Sequence, residues 1–409
     1  MNKFLKEFKE RGFFYQCTKE EELSNLLDSK KIKGYIGFDC TAESLHVGSL
    51  LQIMCLRLLQ KHGHKPIVLL GGGTTRIGDP SGKDKTRNML NENDIEKNFK
   101  NIKKILKKFL DTKNSKIKPI FVNNYSWLKD LNYISFLRDI GKHFTINKML
   151  SFDSVKTRLE REQSLSYMEF NYMILQAYDF LELNKKESCS LQIGGSDQWG
   201  NIVNGVELVK RYSNRHVYGL TTPLITLASG TKMGKTESGA VWLDEKFLSA
   251  YDYWQFWRNT DDRDVIKFLK IFTDMNIDEI DSLEKNNINE LKILLANKTT
   301  TMLHGSKAAQ NSEQAAKEAF SGNVLGSNLP SFKIKKKIFY KNLNIIDFII
   351  LSKLESSKSE IRRLIKGNAI KINNEIVLND KYIVTKELFE KNYVKLSIGK
   401  KRHLKIELN

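Results

Sequence analysis

The sequence predicts a doubly wound α/β domain, followed by a helical stretch and a small basic α+β module. Three observations lead there. Strand-like and helix-like segments alternate over residues 1–228, the apolar spacing turns helical over 247–320, and basic charge accumulates after residue 330.

Residues 35–39 read as a buried strand. A helical pattern follows, with Leu45, Leu50, Leu51, Met54, Leu58 and Leu59 apolar and Gly63 as its stop. Residues 66–70 form a second strand that ends in Gly71, Gly72 and Gly73. Further strand-like runs lie at 117–122 and 190–193, with helical segments near 96–110, 167–183 and 197–212. Strands alternating with helices predict a parallel sheet whose ligands sit at the carboxyl ends of its strands. A Gly/Ser-rich loop and linker is expected over 229–246, a helical domain over 247–320, a polar linker over 321–340 and a separate module over 341–409.

Composition narrows the function. The 409 residues carry 67 Lys+Arg against 48 Asp+Glu, a net charge of +19, with 40% hydrophobic and 28% charged residues. That is a globular chain, and no apolar run reaches the roughly 18 residues a membrane helix needs. The start alternates Lys with Glu, unlike a signal or transit peptide, so a cytoplasmic location is expected. Cys17, Cys40, Cys55 and Cys189 are scattered, which argues against a disulfide framework or a zinc site. Residues 331–409 hold 19 Lys/Arg against 8 Asp/Glu, a net +11, which suggests a polyanionic partner. A second lysine run extends from Lys97 to Lys118 and leaves open a merely lysine-rich composition.

Familiar phosphate loops are missing. No G-x-G-x-x-G follows the first strand, and the segments 78–84 and 230–236 both miss the Walker A spacing. Instead, His46 and Gly48 open the first crossover helix, where a side-chain donor and an unobstructed backbone meet the positive helix end. Lys232 and Lys235, three apart in a Gly/Ser-rich loop, suit charge that develops on a phosphate during reaction.

These two clusters resemble the HIGH and KMSKS signatures of class I aminoacyl-tRNA synthetases. The remaining blocks (35–42, 71–83, 176–181 and 192–201) resemble the bacterial-type tyrosyl-tRNA synthetases, in the same order and over nearly the whole length. Two positions depart: Ser49 stands at the second histidine of HIGH, and the loop reads Lys-Met-Gly-Lys-Thr. The first departure implies weaker ATP contact; the second keeps both lysines. The resemblance implies a Rossmann-like catalytic domain that joins L-tyrosine to ATP, with Mg²⁺ arriving on the nucleotide and no protein-held metal, and then passes the tyrosyl group to tRNA(Tyr). It implies a homodimer as well. By the same resemblance, Tyr35 and Asp179 read the phenolic hydroxyl, and Asp79, Tyr172 and Gln176 hold the α-amino group. Gln198 lies near the substrate, and Asp39, Thr41, His46, Gly48 and Asp197 meet ATP. Lys83, Arg87, Lys232 and Lys235 would act on the departing pyrophosphate.

Carboxylate attack on a phosphorus needs no general base, which fits the absence of an obvious Ser/Cys–His pair. Residues 357–373 resemble the S-four-type RNA-binding domain, with Lys358, Arg362, Arg363 and Lys366 as candidate phosphate contacts. Three rivals remain at this point: the sister tryptophan enzyme, another adenylyl transferase, and an RNA-binding protein with a dead catalytic domain.

Overall fold

The computed structural model describes residues 1–80, 90–231, 233–236, 239–320, 331–335, 343–389, 392–399 and 402–409, with the backbone alone at 153, 154, 235, 236, 319 and 320. One sheet has six strands: β1 (Gln16–Cys17), β2 (Lys33–Asp39), β3 (Lys65–Gly71), β4 (Ile120–Asn123), β5 (Cys189–Gly195) and β6 (Tyr218–Thr222). Their order is β1-β6-β5-β2-β3-β4. Every neighbouring pair is parallel except β1 with β6. β3 is apolar along its length because both faces are covered; Ile67, Val68, Leu69 and Leu70 are all buried.

Helices α1 (Lys3–Glu10) and α2 (Glu20–Ser29) precede the parallel part. α3 (Leu50–Lys61) crosses from β2 to β3, and α4 (Glu92–Phe109) from β3 to β4. Four short helices follow, α5 (Tyr125–Leu128), α6 (Tyr133–Asp139), α7 (Ile146–Leu150) and α8 (Asp153–Glu160). Then α9 (Tyr167–Glu187) leads into β5 and α10 (Trp199–Ser213) into β6. A capping box fixes the start of α9: Ser166 Oγ accepts from Glu169 N, and Glu169 accepts from Ser166 N. Strand order reverses at β2, which lies between β3 and β5, so a crevice opens at the carboxyl ends of β2 and β5.

The first crossover helix starts later than its apolar pattern suggests. A 3₁₀ turn, Val47–Ser49, precedes Leu50. β1 has only two residues, too few to carry a periodic signal.

Beyond the sheet come a small hairpin, β7 (Lys235–Thr236) with β8 (Gly239–Ala240), and helices α11 (Ala250–Arg258), α12 (Val265–Phe272), α13 (Ile277–Ser282), α14 (Ile288–His304) and α15 (Ser306–Phe320). The chain divides into two units, one of residues 1–247 and 261–291, the other of 248–260 and 292–409. The expected helical domain 247–320 is therefore split. Arg11 is one reason: its guanidinium donates to the carbonyls of Lys270, Thr273 and Met275, tying α1 to the end of α12.

The second unit contains a five-stranded sheet in the order β12 (Glu375–Ile376), β11 (Ile370–Ile372), β14 (Tyr393–Ile398), β15 (Arg402–Leu408) and β9 (Ser331–Ile334). A two-stranded pair, β10 (Leu343–Asn344) with β13 (Ile383–Val384), accompanies it, with α16 (Ile345–Leu351) and α17 (Lys358–Lys366). The expected linker 321–340 thus ends too late: residues 331–334 pair in parallel with β15 and place Ile334 in the apolar core. Residues 321–330 lie outside the described part. Among the described residues no helix is long and apolar enough to cross a membrane.

Candidate active site

A cavity of about 420 Å³ opens at the carboxyl ends of β2 and β5. β2 and the loop after it contribute Tyr35, Asp39, Thr41, His46, Gly48 and Ser49. α9 contributes Tyr172, Gln176 and Asp179; Asp197 and Gln198 follow β5, and Asp79 comes from the segment after β3. All the expected tyrosine and ATP residues with described side chains therefore line one space. Lys83, Arg87 and Lys232 lie outside the described residues, and only the backbone of Lys235 is described.

Asp179 is buried, and its two oxygens accept from Asn124 Nδ2 at 2.9 Å and Trp127 Nε1 at 2.8 Å. Burial pushes its carboxyl up to about 7, against the pull of those two donors. Tyr35 is 1% exposed, and its hydroxyl has no hydrogen-bond partner among the described residues. Burial, then the neighbouring Asp179 charge, pushes that phenol well above its usual range. A buried polar atom left unpaired costs about 1–3 kcal/mol. The cavity floor thus holds an acceptor fixed from behind and a hydroxyl awaiting a partner.

Each residue of the polar stripe of α9 has a side-chain partner. Tyr172 Oη donates to Asp39 Oδ2 at 3.0 Å, while Thr74 Oγ1 donates to Asp39 Oδ1 at 2.7 Å. Gln176 Oε1 accepts from Asn201 Nδ2 at 3.0 Å. The same Asn201 nitrogen donates to Gln198 Oε1 at 3.0 Å, and Gln198 Nε2 donates to Asp79 Oδ2 at 2.9 Å. Asp39, Asp79 and Asp179 surround the helix face, so the middle of the cavity favours a cation.

At the other end, His46 Nδ1 accepts from Gly48 N at 3.0 Å. This hydrogen bond assigns the neutral ring's proton to Nε2, leaving that nitrogen as a donor. The HIGH-like and KMSKS-like segments are joined by backbone: Val47 N donates to Val241 O at 2.9 Å, and Leu243 N to Leu45 O at 2.8 Å. Gly234, at φ +115°, lies so close that a Cβ there would sit 2.9 Å from His46 Nδ1. A Cβ on Gly48 would meet His46 Cε1 at 2.6 Å and Met233 O at 3.1 Å. Glycine at position 234 is thus required by left-handed backbone and by close packing.

Sequence reasoning missed Asn124, Trp127, Gln192 and Thr74, and gave Asn201 no role. Gln192 is 3% exposed beside Tyr35 in the sheet, lines the cavity, and its Oε1 has no partner among the described residues. A signal existed for Asn124 and Trp127, because both directly follow the carboxyl end of β4.

α17 presents the four expected phosphate contacts on its surface, capped by Ser357 Oγ. Lys358 pairs with Asp347 at 3.3 Å, Arg362 with Asp380 at 3.4 Å and Arg363 with Glu360 at 2.8 Å. Lys366 has no such ion pair among the described residues.

Residues 27–321 match the family model described as tRNA synthetases class I (W and Y). The chain belongs to that family. Residues 323–406 match a second model, the tyrosine–tRNA ligase SYY-like C-terminal domain. Among relatives, the chain is 76% identical over 408 residues to the tyrosine–tRNA ligase of Pelagibacter ubique (strain HTCC1062), covering all of both chains. It is 54% identical over 410 residues to that of Wolbachia sp. subsp. Brugia malayi (strain TRS), covering 99% of this chain and 98% of the relative. A C-terminally truncated Aspergillus nidulans mitochondrial tyrosyl-tRNA synthetase superposes with a TM-score of 0.70 at 30% identity, over 78% of this chain and 94% of its own.

Proposed function

We propose that this family member is a tyrosine–tRNA ligase, and that the cavity joins L-tyrosine to ATP before the tyrosyl group moves to the 3′ end of tRNA(Tyr). The observation that carries the tyrosine assignment is the floor: Asp179, held by Asn124 and Trp127, beside a Tyr35 hydroxyl without a partner among the described residues. A phenol hydroxyl would donate to Asp179 and pair with Tyr35. Phenylalanine would leave both groups unmet, and an indole brings no hydroxyl. The general rule, for which this enzyme class is the standing example, is discrimination of about 10⁵ without editing.

The substrate ammonium would lie among Asp79, Tyr172 and Gln176, held in place by Gln198 and Asn201. Its carboxylate, already ionised at pH 7, attacks the α-phosphorus in line; the new O–P bond forms as the bond to pyrophosphate breaks. No side chain needs to take a proton. Asp39, Thr41, Gly48 and Asp197 would seat the nucleotide, with His46 Nε2 donating to phosphate. Lys83, Arg87, Lys232 and Lys235 are assigned to the charge that develops on pyrophosphate. Mg²⁺ would be carried by the phosphates of ATP. In the second step, a ribose hydroxyl at the tRNA 3′ end attacks the tyrosyl carbonyl. The new ester C–O bond forms as the acyl–phosphate bond breaks, and AMP leaves with the hydroxyl proton passing to its phosphate oxygen.

Four free cysteines suit a reducing compartment, and we place the enzyme in the cytoplasm. The homodimer is supported by exposed apolar side chains in the stretch of chain from β4 to β5: Tyr133, Ile134, Ile146, Leu159 and Tyr167 are each at least half exposed. Sedimentation equilibrium should give twice the chain mass, and Ile134→Asp should lower it. ATP–pyrophosphate exchange with each of the twenty amino acids tests the main reading. Tyrosine alone should drive it; exchange with tryptophan in its place would overturn the assignment.

A further inference from the structure

The second lysine run of the sequence has no part in the chemistry above. Residues 97–118 contain nine lysines and one acid. At about 100° per residue, Lys97, Lys100, Lys103, Lys104, Lys107 and Lys108 fall within an arc of about 140° on α4. The opposite arc carries the buried Ile95, Asn98, Ile102, Ile105, Leu106 and Phe109. An ordinary solvated helix face mixes charges of both signs. Here only Lys97, with Glu43 at 2.7 Å, and Lys100, with Glu96 at 2.9 Å, have carboxylate partners among the described residues. Lys103 and Lys107 lie over the Phe121 ring of the edge strand β4, at 5.5 and 6.0 Å from its centroid. Lys104 and Lys108 have no acid partner among the described residues. Like charges at i,i+4 each destabilise a helix by about 0.2–0.5 kcal/mol, and this face stacks Lys100–Lys104, Lys104–Lys108 and Lys103–Lys107. On α17, by contrast, three of the four expected phosphate contacts already have acid partners.

The ridge is anchored to the site. Asn98 Nδ2 donates to the carbonyl of Cys40 at 2.9 Å, one residue after Asp39, and Ile102 lines the cavity. α4 thus forms part of the cavity wall on its buried face and carries the lysines on its outer face.

We propose that this lysine ridge docks the phosphate backbone of the tRNA whose 3′ end is charged in the cavity; the proposal rests on the ligase reading. The ridge attracts through charge and reads no bases, so its contribution depends on salt.

The test is the full-length chain with Lys104→Gln, Lys107→Gln and Lys108→Gln together. Filter binding of tRNA should show a log–log salt slope shallower by about two to three, roughly one for each phosphate no longer neutralised. The tRNA KM for charging should rise by about tenfold near 150 mM salt. Tyrosine-dependent pyrophosphate exchange should stay within twofold of the parent, and the triple Lys→Arg chain should keep parental tRNA binding. Parental slope and KM in the Gln chain would overturn the ridge as a tRNA dock, the outcome expected if it serves an acidic protein instead. If the triple variant does not fold, Lys108→Gln alone should shift the slope by about one, and a parental slope there overturns the proposal. A parent that binds tRNA on the ridge yet fails in exchange would instead count against the ligase reading.

Discussion

The cavity floor and the α17 surface use polar side chains in opposite ways. At the floor, Asp179 is 2% exposed and Tyr35 is 1% exposed, with two fixed donors behind the carboxylate. On the proposed reading, a substrate without the hydroxyl leaves these buried groups short of a partner, so one absent atom costs pairing energy. On α17, Arg362 and Arg363 side chains are 54% and 79% exposed, and water and salt compete for every contact. Burial gives discrimination, whereas exposure gives attraction in small increments.

The largest expected effect lies at the floor. Asp179→Asn should lower the Tyr/Phe ratio of kcat/KM by about 10² or more, read by pyrophosphate exchange with both amino acids. It should also change the pH dependence of stability, with a definite sign. The folded carboxyl is raised to about 7, above the roughly 3.9 of an unfolded chain, so the native state holds the proton more tightly. Stability contributed by Asp179 is therefore present below about pH 4 and falls as pH rises towards 7. Relative to the parent, Asp179→Asn should therefore gain stability between pH 4.5 and pH 8, by up to about 4 kcal/mol. That gain comes on top of a pH-independent loss of about 1–3 kcal/mol, because the amide nitrogen cannot accept from one of the two buried donors. Urea unfolding at pH 8 and pH 4.5 checks this. An unchanged Tyr/Phe ratio would place the hydroxyl reader elsewhere.

The mouth comes next. Gly234→Ala puts a Cβ within 2.9 Å of His46 and forces a left-handed backbone on alanine. The turn at Met233 and Gly234 should be displaced from His46, slowing single-turnover adenylate formation about 10- to 100-fold while tyrosine binding changes little. Equal losses in both would mean a folding defect, and thermal melts would show it.

Trp127→Phe is a graded version of the first change. It removes one of the two donors to Asp179 and leaves the Asn124 bond. The Tyr/Phe ratio should fall about 5- to 30-fold, the equivalent of one hydrogen bond of about 1–2 kcal/mol. A loss as large as that from Asp179→Asn would show that Trp127 alone orients the carboxylate.

Tyr35, His46, Gly48 and Asp179 are legible because their signatures are local: a strand end, a helix start, a helical stripe. The β-α-β order is legible for the same reason, through the change of apolar period between β2 and α3. The partners Asn124, Trp127, Thr74 and Asn201 act across the sheet, from segments far apart in the sequence that the strand order brings together. The strand Ser331–Ile334 reads as linker because a run of four residues is too short to separate from a polar segment. Its partner β15 lies about 70 residues away. The close approach of Gly234 to His46 has no sequence signal at all, since it depends on the backbone bonds between 45–47 and 241–243.

The smallest effects belong to α17, and they are small because the helix face is exposed. Arg363→Ala removes a cation that already faces Glu360 at 2.8 Å, so the local field changes by much less than one free charge. Lys366→Ala removes one without such an ion pair. Lys366→Ala should weaken tRNA binding by about two- to fourfold at 150 mM salt and flatten the salt slope by about one; Arg363→Ala should do less. Both should act alike on tRNA(Tyr) and on unrelated tRNA, because a phosphate contact carries no sequence. Filter binding with the two RNAs separates the cases. If either change cut tRNA(Tyr) binding more than tenfold while sparing the unrelated RNA, α17 would be reading base edges from a desolvated contact, and the division between a discriminating interior and an attracting surface would fail at that helix.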